Sequence, residues 1–280
     1  MSSPYDRKAL LLHIHDYLEA LVAHDPTRLC LSKNAKATEN GLPMILGEGL
    51  WQTARTIVLR KSFVDSSQNQ AGFWGVVEEK NHEKAIFILR LKIEDNTLSE
   101  IETLVSRKGC HPIFSPDTVT LKPCWDAVVP ESERLPREEL IRIADSYFEG
   151  IEQTDGSMVL FHPDCQRYEN GIKTTNSPEL LKFSGPAGLY RMDYIKKVRE
   201  RRYPIVDENR GLVWGIVVFD IPGTNVTDDA LPEGSVQHSL RARPRCLLLH
   251  ELFKIEDGLI REIEAFMTNG PVNATHGWNP

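Results

Sequence analysis

No run of about 18 apolar residues occurs in the 280-residue sequence, so no segment reads as a membrane-spanning helix. The opening stretch MSSPYDRKALLLHIHDY interrupts its apolar residues with His13, His15 and Asp16 and does not read as a secretory signal, so a cytoplasmic location is expected. Cysteine is sparse: Cys30, Cys110, Cys124, Cys165 and Cys246 are far apart and form no CxxC pair, which excludes a disulfide framework and a zinc-ligand pattern. A cationic excess is also missing. Lys and Arg number 33 against 40 Asp and Glu, a net charge of −7, which argues against nucleic acid as the partner. The local cluster Lys196, Lys197, Arg199, Arg201 and Arg202 reads as a solvated face. There is no metal triad, Gly-rich phosphate loop or nucleophile elbow, and His13 and His15 are two apart on a helix and share no face. These absences favour chemistry with neither metal nor cofactor.

The sequence does contain an internal repeat. FKIEDGLIREIEAF (Phe253 to Phe266) matches LKIEDNTLSEIETL (Leu91 to Leu104) at seven of fourteen positions. RYENG (Arg167 to Gly171) pairs with ATENG (Ala37 to Gly41), and VDENRGLVWG (Val206 to Gly215) pairs loosely with VDSSQNQAGFWG (Val64 to Gly75). The offset grows from 130 to 162, which places an insertion in the second copy, much of it in the loop-like stretch Ile221 to Pro244.

Both copies open with an amphipathic helix. Leu10, Leu11, Ile14, Leu18 and Leu21 mark the first; Leu140, Ile143, Ala144, Tyr147, Phe148 and Ile151 mark the second. Shorter helical segments are predicted around Glu48 to Thr56 and Pro186 to Arg201. Each copy then ends in strand-like runs, the last two of the second copy joined at Asp257-Gly258, a hairpin signal. Helices followed by antiparallel strands predict an α+β fold. Prolines at 112, 116, 123, 130 and 136 mark a linker, which gives a first domain over 1–109, a linker over 110–136 and a second domain over 137–280.

The order of elements, with a terminal IEDGxIxxIE pattern, resembles the SnoaL-like branch of the NTF2-like superfamily. ADSYFEGI (Ala144 to Ile151), DCQRYENG (Asp164 to Gly171) and RRYPIVDENRGLVWG (Arg201 to Gly215) resemble a subgroup that includes cofactor-independent isomerases of natural-product pathways. The resemblance implies two tandem cone-shaped domains, each with N-terminal helices and a curved antiparallel sheet around a pocket.

Comparing the copies separates candidate residues. Tyr17 and Tyr147, Trp74 and Trp214, and the two ENG segments are shared, which favours structural roles: core packing for the aromatics and a glycine-dependent turn for ENG. Arg167 and Asp164 replace Ala37 and Asn34 of the first copy, and the resemblance implies a catalytic arginine in this motif. His250 and Glu251 replace Ile88 and Leu89; His250 shares a strand face with Leu248 and Leu252 and is expected to face the cavity as a proton carrier, with Glu251 on the other face. Glu262 and Glu264, repeated by Glu100 and Glu102, are read on one face with Ile260 and Phe266; Glu264 is a candidate acid or base. Cys165 reads as a packed small residue. The expected catalytic set is therefore Arg167, His250, Glu264 and Tyr147, with Tyr203, Asp164, Trp214 and Phe219 binding substrate.

These residues support an acid–base lyase or dehydratase acting without cofactor on a hydroxylated aromatic or polycyclic molecule in the second domain. Some NTF2-like lyases remove water and formaldehyde from lignin-derived diarylpropanes, and the proton-transfer groups of this chain suit that chemistry, although no motif of that subgroup matches residue by residue. Alternatives are an isomerase, a hydrophobic-ligand-binding scaffold, or a pocket between domains with Trp125 in its lid. The first domain is expected to be degenerate, and assembly as a homo-oligomer is expected.

Overall fold

A computed structural model describes residues 5–175, 192–223 and 236–278. The chain divides into two compact units, Met1–Lys108 with His276–Pro280, and Gly109–Thr275. Each unit is an α+β domain in which one long helix covers a six-stranded sheet, the architecture that the NTF2-like resemblance implies.

In the first unit, α1 (Arg7–Val22) is capped by the Asp6 carboxylate, which accepts from the Ala9 N–H at 2.8 Å. Its buried face carries Leu10, Ile14, Tyr17, Leu18 and Leu21. The sheet comprises β1 (Leu31–Glu39), β2 (Leu42–Pro43), β3 (Ala54–Asp65), β4 (Gln70–Glu79), β5 (Lys84–Glu94) and β6 (Thr97–Ser106), in the order β2-β1-β6-β5-β4-β3. The second unit repeats it. Helix α3 (Arg137–Gln153) precedes β7 (Phe161–Glu169), β8 (Ile172–Lys173), β9 (Lys197–Asp207), β10 (Leu212–Ile221), β11 (Arg245–Glu256) and β12 (Leu259–Gly270), ordered β8-β7-β12-β11-β10-β9. The pairings are antiparallel except β1–β6 and β7–β12, which are parallel. Register shifts along β3–β4 and β9–β10 mark bulges, the device that bends a sheet. Gly75 sits at such a place, where an added Cβ would lie 1.9 Å from the Leu59 carbonyl oxygen.

The ENG segments are two-residue hairpin turns. Asn40 and Gly41 have φ of 51° and 79°, Asn170 and Gly171 43° and 88°, which is the conformation that favours Asn-Gly. Each asparagine also clamps the last strand. Asn40 exchanges hydrogen bonds with the Val105 backbone (3.1 and 2.8 Å), and Asn170 does so with Met267 (3.0 and 2.9 Å). Asp257-Gly258 is the expected hairpin, with φ of 51° and 72°.

Several expectations need correction. Between Glu48 and Thr56 only α2 (Leu50–Thr53) is an α-helix, and β3 begins at Ala54. Residues 186–191 lie outside the described residues, while Lys197–Arg201 starts β9 rather than ending a helix. The basic cluster there is paired more than solvated: Arg199 meets Asp220 at 2.9 Å, and Arg201 meets Asp145, Glu149 and Glu152. The stretch 221–244 includes a short helix, α4 (Val236–Arg241), and residues 224–235 lie outside the described set. The 110–136 segment belongs to the second unit. It holds three short 3₁₀ turns, two of them opened by proline, and no strand or α-helix, but Ile113, Val119 and Trp125 are all buried, so the segment packs as a strap.

Candidate functional site

One face of the second sheet packs against α3. Val213, Val217, Leu247, Leu249, Phe253, Ile255, Ile260, Ile263 and Met267 form this core with Tyr147 and Phe148 of the helix. Side chains alternate along β11, so Glu251 shares this face and His250 takes the other. The strand places a carboxyl, not an imidazole, under the helix.

A chain of hydrogen bonds runs through the buried polar groups. Arg167, 4% exposed on β7, donates from Nη1 to the Tyr147 hydroxyl at 2.9 Å and from Nε to Thr174 Oγ1 at 3.1 Å. Nε also lies 3.1 Å from the Glu169 carboxylate. The Glu251 carboxyl acts electrostatically on the same Tyr147 hydroxyl. Tyr147 thus accepts from Arg167, which leaves its own O–H as a donor. Oε2 of Glu251 is buried with no hydrogen-bond partner among the described residues.

Burial dominates the protonation of this network. It pushes the Glu251 carboxyl up to about 8, against the opposing pull of the Arg167 charge. Burial likewise raises the Tyr147 hydroxyl well above the usual phenol range. For Arg167, burial works against the charge, but Tyr147, Glu169 and Glu251 outweigh it and hold the guanidinium charged. Burial pushes the Cys165 thiol up to about 12, which agrees with a packed side chain rather than a thiolate.

Tyr147, Glu169 and Glu251 line a cavity of about 20 Å³, closed by Met192, Leu240 and Phe219 among others. That is room for about one water molecule. His111, from the strap, also lines it.

The structure therefore brings Arg167 and Tyr147 together and places Phe219 on the cavity wall. It separates the other expected residues from them. His250 lies on the opposite sheet face, its Nδ1 accepting from Trp214 Nε1 at 3.2 Å, so neither residue faces the cavity. Glu264 pairs with Leu252 and is also on that face, where it forms an ion pair with Lys122 of the strap. A bulge at Arg261 caused the misreading of β12. Ile260 pairs with Ile255 and Glu262 with Lys254, so the extra residue returns Ile260 to the helix face and leaves Glu262 and Glu264 outside it. Tyr203 packs beside Phe148 and donates to Asp145 on α3. Asp164 is exposed and pairs with Arg261 at 3.2 Å.

The sequence carried a signal for Glu251: like Arg167, it replaces an apolar residue of the first copy. His111 left no such mark, because it lies in an irregular segment with no counterpart to compare.

Residues 133–267 match the family model described as a domain of unknown function, DUF8021. No curated protein matches the chain. Among solved structures, an LEH-like epoxide hydrolase of M. tuberculosis aligns with 14% identity and a TM-score of 0.32, over 46% of this chain and 83% of its own. TsrD from Streptomyces laurentii aligns with 15% identity and a TM-score of 0.33, over 48% and 90%. A de novo designed protein with a curved β-sheet aligns with 13% identity and a TM-score of 0.30, over 47% and 87%.

Proposed function

We propose that the second unit is an acid–base enzyme for a neutral small molecule, with Glu251 as its proton-transfer group and Tyr147 and Arg167 supporting it. The observation that carries this reading is a buried carboxyl, pushed up to about 8, on a residue that lines a cavity, with its Oε2 unpartnered among the described residues. A carboxyl protonated near neutral pH donates as an acid. Once it has donated, the carboxylate is held by the Tyr147 O–H and the Arg167 charge, which are already in place. It is then positioned to accept a proton from carbon.

One group acting in both directions suits two reactions. In elimination, Glu251 protonates a leaving hydroxyl, the C–O bond breaks to release water, and the carboxylate takes the neighbouring C–H proton as the double bond forms. In isomerisation, the same two proton transfers move a double bond and nothing is lost. A hydroxylated aromatic substrate remains the proposed class, in line with the apolar and aromatic wall of Tyr147, Tyr194 and Phe219. Only one polar atom of it fits the cavity as it stands, so Met192 and Leu240 must move to admit the rest.

The test is a mass-spectrometric screen of hydroxylated diaryl compounds and polycyclic phenols with the wild type, Glu251→Gln and His250→Ala. Turnover should fall about 10²–10⁴-fold in Glu251→Gln and persist in His250→Ala. Turnover that survives in Glu251→Gln defeats the assignment. Binding of these compounds with no turnover by the wild type would make the unit a ligand-binding scaffold.

A further inference from the structure

His111 supplies a second buried polar group to this cavity. It is 3% exposed and lies in the strap, two residues before Ile113. Its Nδ1 is 3.2 Å from the Ile113 N–H and 3.1 Å from the Ile113 carbonyl oxygen. That carbonyl already accepts from the Asn170 amide at 3.0 Å, whereas Nδ1 is the acceptor within reach of the N–H. A buried backbone N–H left without an acceptor is costly, so hydrogen-bond accounting assigns Nδ1 as acceptor and the ring proton to Nε2. Nε2 has no hydrogen-bond partner among the described residues.

The ring is neutral at neutral pH, because burial pulls His111 down to about 4. Glu251 keeps its proton in the same range. Its Oε2 is buried without a hydrogen-bond partner among the described residues, and we place the carboxyl proton on that atom. Two residues that each carry a buried, unpartnered polar atom, His111 Nε2 and Glu251 Oε2, thus line one cavity with room for about one oxygen atom. Burying two donors with nothing to accept them is unfavourable, and a single acceptor with two lone pairs relieves both.

We propose that the cavity is a receptor for one carbonyl oxygen, held between the Nε2–H of His111 and the Oε2–H of Glu251, so that the substrate is a carbonyl compound. This deepens the acid–base reading, rests on it for the word substrate, and selects isomerisation over elimination, because the one oxygen the cavity admits is then a carbonyl and not a leaving hydroxyl. A carbonyl oxygen offers two in-plane lone pairs and brings no hydrogen that would itself need an acceptor. His111 is a binding residue in this scheme and transfers no proton.

Imidazole nitrogen NMR of the full chain tests the assignment without any turnover. The expected result is a neutral His111 with its proton on Nε2 from pH 5 to 9; a proton on Nδ1 overturns the proposal. Acetophenone and its deoxygenated counterpart ethylbenzene then serve as probes. Acetophenone should perturb the His111 Nε2–H and ethylbenzene should not, and His111→Phe should weaken acetophenone binding about tenfold while sparing ethylbenzene. An equal response to the two probes, or none to acetophenone at millimolar concentration, overturns it. If His111→Phe fails to fold, the wild-type spectra still decide. The two readings fail separately: loss of turnover in Glu251→Gln with Nδ1 protonated removes only the carbonyl receptor, whereas acetophenone held by His111 with no turnover anywhere removes only the catalysis.

Discussion

The two units share a strand order, a covering helix and a helix tyrosine, yet differ in what that tyrosine touches. In the first, the Tyr17 hydroxyl accepts from Trp51 Nε1 at 3.1 Å, and Leu89 stands at the β5 position that corresponds to Glu251. In the second, the Tyr147 hydroxyl accepts from Arg167 at 2.9 Å and feels the Glu251 carboxyl electrostatically. Both charged residues are confined to the second copy, facing Ala37 and Leu89 of the first. Arg167 is paired with Glu169 and Glu251 holds its proton, so neither stands as an unpaired charge in a dry core, which would be strongly destabilising. The copies thus differ at two positions around one helix tyrosine.

Removing one member breaks the comparison most severely. Arg167→Ala strands Glu169, Tyr147 and Glu251 and should cost about 3–5 kcal/mol; adding Glu251→Leu, which restores the first copy's pattern, should recover at least about 1 kcal/mol. Hydrogen exchange of the β11 amides in the full chain reads the second unit separately from the first. Strictly additive losses would mean that the two residues are independent.

The reverse graft sharpens it. Leu89→Glu in the first unit, with no arginine at position 37, should destabilise that unit by about 2–4 kcal/mol, measured at the β5 amides. A neutral result would show that the first core already accepts a carboxyl.

Next comes pH. The folded pKa of Glu251 is raised, so the folded state binds the proton more tightly than the unfolded chain. Its contribution is full below the ordinary carboxylate range and is lost as pH rises towards about 8. Glu251→Gln should therefore match the wild type near pH 4.5 and exceed it at pH 9 by about 1–3 kcal/mol. His111 has the opposite sign: its depressed pKa leaves stability intact above the ordinary imidazole value and removes it as pH falls towards about 4. His111→Phe should flatten that acid limb in urea titrations.

Tyr17→Phe, the smallest expected effect, removes one neutral hydrogen bond to Trp51 and should cost about 1 kcal/mol. A cost well above that would give Tyr17 more than a packing role.

Local patterns in the chain were sufficient for the repeat, both long helices, the hairpin turns and the α+β class. Helix periodicity, Asn-Gly turns and strand alternation act over a few residues, so they are written in short stretches of sequence. Arg167 and Tyr147 were legible as candidates because one copy serves as a control for the other. The sequence placed Glu251 on the face opposite His250, but only the packing of α3 decided which of those faces is enclosed. The face of Glu264 depended on the bulge at Arg261, where a single extra residue reverses the side-chain alternation. The roles of His111 and Lys122 were set by the path of an irregular, proline-rich strap. Such contacts join residues more than a hundred positions apart, and no local periodicity encodes them; only the folded chain, bringing a strap, a helix and two strands around one cavity, determines which polar groups meet.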